Sequence, residues 1–172
     1  MMWHAGSMNI APRSMASHIG GQPSVNPAPG PVLRVLADTS VVLDLLLARQ
    51  PWLSQAQPMW DARDAGRLFV HLPASALTDI FYICRKQVGR ERALQATEAC
   101  LQGFAIVAVD PSIVEAALSL PGKDFEDNIQ IACAQAAGLD LIVTRNTADF
   151  AQSPVPAVEP LAVISRLSRS SP

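Results

Sequence analysis

Asp38, Asp79, Asp127, Asn146 and Asp149 carry oxygen donors at positions where a chain of this kind can do chemistry. Asp38 ends the apolar run over 32–37, and Asn146 follows shortly after the apolar Leu141-Ile142-Val143. A carboxylate at the carboxyl end of a buried parallel strand lies where open α/β sheets bind their ligands. Carboxylate and amide oxygens, with no histidine or cysteine among them, are the donors that hard cations such as Mg2+ or Mn2+ take. A cation held there would lower the pKa of a bound water and clamp a phosphodiester for in-line attack, giving hydrolysis without a covalent enzyme intermediate.

Each position also has a plainer reading. Asp38, Thr39 or Ser40 would cap the helix that follows the first strand. Asp124 would cap a later helix, with Glu126 and Asp127 in its first turn, where the helix dipole favours negative charge. That reading leaves three carboxylates within four residues and no cation between them. Asp127 also heads a row that continues through Ile131 and Ala134 at helical spacing. Asp79, in the early turns of its helix, reads alone as a surface acid favoured by the dipole. Asn146 and Asp149 lie on one side of a helical turn, or form an Asn-type turn.

Alternating strands and helices must position these groups. Apolar strands are expected over 32–37, 68–72, 104–109, 139–143 and 155–158. Helices are expected over 41–48, 54–65, 75–86, 90–101, 111–118, 124–137 and 161–167, with Pro51 ending the first and a short helical turn over 147–150. Such alternation implies a three-layer α/β/α fold around a parallel sheet of four to five strands. Residues 1–30 are rich in Gly, Pro and Ser without periodicity and are expected to be a disordered tail ahead of one domain over 31–168. No apolar stretch has the length of a secretory core or a membrane span.

Composition narrows the function. The 172 residues are 49% hydrophobic and 16% charged, enough to bury a full core. A net charge of −2 supplies no broad basic field, so any grip on nucleic acid must be local or made through a metal. Cys84, Cys100 and Cys133 are far apart, in apolar helical contexts and without zinc-ligand spacing, which points to reduced buried thiols in a cytoplasmic protein. His4 and His18 fall in the tail. His71 alone remains, inside a strand with a local partner, and a His-rich zinc site or a Ser-His-Asp triad is disfavoured. A dehalogenase-like phosphatase would need Asp where Ser40 stands, and a dinucleotide binder would need glycines that the turn Asp38-Thr39-Ser40-Val41 lacks.

Taken together, Leu36-Ala37-Asp38-Thr39-Ser40-Val41-Val42-Leu43-Asp44, Asp127 ahead of Ile131-Ala132-Cys133-Ala134, and Val143-Thr144-Arg145-Asn146-Thr147-Ala148-Asp149-Phe150 resemble the PIN-domain ribonuclease family. Toxins of VapBC-type toxin–antitoxin pairs belong to that family. The resemblance covers about residues 32–167. It implies a Mg2+- or Mn2+-dependent endoribonuclease, with RNA as substrate, homodimerisation, and a small antitoxin as partner. Asp38 and Asp127 would be the first-strand and central helical ligands, Asn146 would hold the fourth acidic position, and Asp149 would be an auxiliary carboxylate. Thr39, Ser40, Thr144 and Arg145 would face the substrate, with Arg145 on a phosphate. Asp79 falls where the family usually has Glu. Being one methylene shorter, it would reach a cation through water, so weak activity, or a PIN-like module that binds without cleaving, is the alternative.

Overall fold

The computed structural model describes residues 32–169, and the tail expected over 1–30 lies outside the described residues. In chain order the elements are β1 (Leu33–Ala37), α1 (Thr39–Leu46), α2 (Trp52–Asp64), β2 (Leu68–Pro73), α3 (Ala76–Val88), α4 (Arg90–Gly103), β3 (Ala105–Val107), α5 (Pro111–Leu118), α6 (Phe125–Ala136), β4 (Leu141–Val143), β5 (Ala157–Val158) and α7 (Ala162–Arg169). All strand pairs are parallel, in the order β3-β2-β1-β4-β5. The chain therefore runs outward from β1 through β2 to β3, then returns to the other side of β1 as β4. The carboxyl ends of β1 and β4, with Ala37 opposite Val143, form the switch point where such sheets open a crevice.

Strand periodicity divides the interior into two cores. Val35, Ala37, Val70, Leu72, Leu141 and Val143 point to the face covered by α1, α2, α3, α4 and α7. Leu36 and Ile142 point to the opposite face, where Ile113 and Ala117 of α5 and Ile129 to Ala134 of α6 cover them. Successive side chains of a strand alternate between faces, and helices on both sides explain why these strands read as unbroken apolar runs. His71 is buried in β2 and its Nδ1 pairs with the Val35 carbonyl at 3.2 Å. Cys84, Cys100 and Cys133 are buried free thiols.

The edges of the elements differ from expectation in ways that have physical causes. The first helix begins at Thr39, directly after Asp38, and ends at Leu46, well before Pro51. Its stop is made by Ala48 in the left-handed region (φ 49°): Arg49 N–H donates to the Asp44 carbonyl at 2.9 Å and Ala48 N–H to that of Leu45 at 3.4 Å. These are the bonds of a Schellman motif, with Ala where glycine is usual. Pro51 instead stands at the N-cap of α2, and Pro58 lies within that helix, which continues because Ala56, Met59, Trp60 and Ala62 are buried along it. Residues 147–150 form successive turns rather than a helix, with Phe150 N–H bonded to the Thr147 carbonyl at 3.3 Å.

Candidate active site

Asp38 sits between β1 and α1, and its side chain both caps the helix and organises the crevice. Its Oδ1 accepts from Ser40 N–H at 3.4 Å, and its Oδ2 accepts from Ser40 Oγ at 2.6 Å and Thr144 Oγ1 at 2.8 Å. Its own N–H donates to the Val143 carbonyl at 2.9 Å, which ties the end of β1 to the end of β4. Capping and site formation are one arrangement here, because the carboxylate at an N-cap is also a carboxylate at a strand end.

Opposite Asp38 lies α6. Asp124 caps it, accepting from Glu126 N–H at 2.8 Å. Gln130 Nε2 then donates to both Asp38 Oδ1, at 3.2 Å, and Glu126 Oε1, at 2.9 Å. Thr39 Oγ1 adds a third contact, donating to Glu126 Oε1 at 3.2 Å. The carboxylate that shares a donor with Asp38 is thus Glu126. Glu126 and Gln130 stand four apart and so share one helix face.

Asp127, next along α6, is half-buried and opens onto a cleft of about 470 Å³ that Asp124, Asn128 and Asp149 also line. Burial, followed by the charges of Glu126, Asp124, Asp149 and Asp38, pushes its carboxyl up to about 7. Glu126 is also raised. Its carboxylate loses water although the residue as a whole stays exposed, the Gln130 bond offsets part of this, and the charges of Asp38 and Asp79 add to it. That coupling places Asp79, half-buried in the first turn of α3, within electrostatic reach of the same group. Asn146 and Asp149 are exposed and bonded to each other through the Asn146 amide, while Asn146 N–H donates to Thr144 Oγ1 at 3.0 Å.

All four residues expected to face substrate make contacts within the protein, Thr39 with Glu126 and Ser40 with Asp38. Thr144 has no exposed surface, and its hydroxyl links Asp38 to the Asn146 backbone, so it orients the carboxylate. Arg145 Nε lies 3.3 Å from Asp44 Oδ2, and its guanidinium stacks 4.5 Å above the Trp52 ring. Asp44 is 2% exposed, with Arg49 at 3.9 Å as a second cation. Burial raises its pKa, against the pull of both arginines. Asp44, Glu126 and Gln130 are the site residues that sequence reasoning did not select. Two signals pointed to them: an acid inside the apolar α1, and the four-residue spacing of Glu126 and Gln130.

Among the described residues, no three His, Cys, Asp or Glu side chains converge into a ready-made ligand set. Mg2+ needs less than that, since it keeps several waters and binds through one or two carboxylates plus substrate phosphate. Asp38 and Glu126 supply such a pair. Around them, the charge of Asp149 raises Asp127 and that of Asp79 raises Glu126. Hard oxygens in excess of neutralising charge fit a hydrated divalent cation.

The sequence matches the model of the PIN domain over residues 34–148. Comparison with curated proteins gives no match. Among solved structures, a toxin–antitoxin complex from Klebsiella pneumoniae is 26% identical with a TM-score of 0.55, covering 73% of this chain and 97% of that one. VapBC from Salmonella typhimurium, bound to DNA, is 16% identical with a TM-score of 0.56, covering 75% and 99%. Mycobacterium tuberculosis VapC20, described as a toxin that cleaves the sarcin–ricin loop, is 16% identical with a TM-score of 0.53, covering 63% and 86%. With the family match spanning most of the described residues and the sheet order and crevice in place, the chain belongs to the PIN-domain family.

Proposed function

We propose that this protein is a metal-dependent endoribonuclease that hydrolyses RNA phosphodiester bonds with Mg2+ or Mn2+, and that it is the toxin of a toxin–antitoxin pair. The observation that carries this reading is the Asp38–Gln130–Glu126 network at the switch point, ringed by Asp127, Asp149, Asn146 and Asp79. When bound, the cation supplies an activated water and neutralises the phosphate. Asp38 and Glu126 would hold it, with Asp127, Asp79, Asp149 and Asn146 as further oxygen donors around the crevice. Ser40 and Thr144 fix the Asp38 carboxylate, and Thr39 fixes Glu126. The Arg145 guanidinium, anchored to Asp44 through Nε, keeps N–H groups that would serve a phosphate.

Substrate class and partner follow the descriptions of the relatives, a loop-cleaving toxin and a toxin–antitoxin complex. A small antitoxin and homodimerisation belong to the same proposal. The cytoplasm is the compartment proposed, on the three buried free thiols. No helix among the described residues is long and apolar enough to cross a membrane.

One observation favours a second reading, a PIN-like module that binds RNA or protein without cleaving. Asn146 replaces an acid and its amide is bonded to Asp149, which weakens the ring of charge. Incubating single-stranded RNA with Mn2+ or Mg2+, beside Asp38→Ala and Asp127→Ala variants, separates the two. The nuclease reading expects metal-dependent cutting by the wild type and a loss of about a hundredfold or more in folded Asp38→Ala, the range seen when a group stabilising the transition state is removed. Intact RNA in both metals would leave the binding module.

A further inference from the structure

Gln130 is 1% exposed, yet its amide lies between two carboxylates. Both Nε2 hydrogens are committed, one to Asp38 Oδ1 and one to Glu126 Oε1, and its Oε1 is buried with no hydrogen-bond partner among the described residues. A buried amide oxygen left unbonded is unfavourable. Here that loss accompanies an orientation in which the donors, not the acceptor, face the acids. The neighbours of Gln130 along α6, Ile129, Ile131 and Ala134, are apolar and buried, so an aliphatic side chain would have filled the position without leaving an orphaned oxygen.

We infer that Gln130 is a positioning residue: a neutral double donor that holds Asp38 and Glu126 at a fixed separation before the cation arrives. The inference rests on the reading of this crevice as a cation-dependent centre. Two carboxylates left facing each other would repel and splay. A Lys or Arg between them would bring them together but would also neutralise the charge the cation needs. An amide bridges them while leaving both negative. Every other bond to the Asp38 carboxylate comes from its own turn or from Thr144, just past β4, so Gln130 is its one side-chain link to α6 among the described residues. Its Nε2 contact to Asp38, at 3.2 Å, is the longer of its two and the one a bound cation would most readily displace.

The test measures Mn2+ affinity by titration calorimetry and metal-free melting temperature in the full chain, for wild type, Gln130→Met, Glu126→Gln and the double variant. Gln130→Met keeps the size and removes the donors. It is expected to weaken Mn2+ binding at least about tenfold, as loss of a group orienting a metal ligand does, and to have little further effect once Glu126 is Gln. A purely structural role would lower the melting temperature and leave the Mn2+ affinity unchanged. That result, or an equal loss of affinity in the Glu126→Gln background, would overturn the inference. Should Gln130→Met fail to fold, Gln130→Glu is expected to lower the metal-free melting temperature and to regain it on addition of Mn2+. Unchanged metal-free melting in that variant would overturn the inference as well. Wild-type protein that binds no Mn2+ would remove the functional reading and this inference together, whereas equal binding by wild type and Gln130→Met would remove the inference alone.

Discussion

At the scale of single residues, charge dominates. Asp127 carries a carboxyl raised from 3.8 to about 7, so between those values the folded protein holds a proton that the unfolded chain has lost. That contribution to stability is fully present below the unfolded pKa and is lost as pH rises through the folded one. The metal-free protein should therefore melt at lower temperature as pH rises from about 5 to 8, and Asp127→Asn should flatten this dependence and raise the melting temperature at the alkaline end. A wild-type profile that is flat or rising across that window would contradict the assignment. Arg145 gives the complementary case. Among the described residues, Arg145→Ala leaves the buried Asp44 with only Arg49 at 3.9 Å; breaking a fully buried pair costs about 3–5 kcal/mol, and here Arg145 itself is part-exposed. A loss near the lower end is expected in urea unfolding, much of it recovered when Asp44→Asn is added. A loss that the second change leaves untouched would mean that the pair is not what Arg145 secures. Asp38 was legible in the sequence because a strand end fixes where its side chain goes. Which of Glu126 and Asp127 would share a donor with Asp38 was not legible, because adjacent helical residues differ by about 100° in direction and only packing fixes the rotation of α6 against β1.

Among the elements, apolar runs located the strands and helices, while their ends were set by interactions that cross the fold. The strands expected over 104–109 and 139–143 are observed over Ala105–Val107 and Leu141–Val143, the lengths that pair with β2 and β1. The first helix shows the same thing at its C-terminus. Proline is the obvious breaker in sequence, yet the chain turns earlier, at Ala48 in a left-handed conformation that disfavours any side chain. Ala48→Gly should consequently stabilise the protein by up to about 1 kcal/mol, the left-handed penalty less the extra freedom glycine gives the unfolded chain. Denaturant unfolding checks this, and a destabilisation would show that the turn is not held as described.

For the molecule as a whole, fold and family were legible because parallel sheets covered on both faces leave an alternating pattern of short apolar runs, and because three motifs recur in order along it. The strand order was not written there, although it creates the crevice by setting β1 beside β4. With a net charge of −2 and an acidic crevice, RNA affinity should be weak without divalent cation and should show a shallow salt dependence, with a log–log slope near −0.7 for each phosphate contacted. A steep slope in metal-free binding experiments would contradict this and point to a basic RNA-binding surface. The most direct test of the central claim is to locate Mn2+ by its anomalous scattering in crystals of the protein. A single strong peak within coordination distance of both Asp38 and Glu126, absent from Asp38→Ala crystals, is the expected result. A peak held by Asp127 and Asp149 across the cleft, with the Asp38–Gln130–Glu126 network undisturbed, would contradict it.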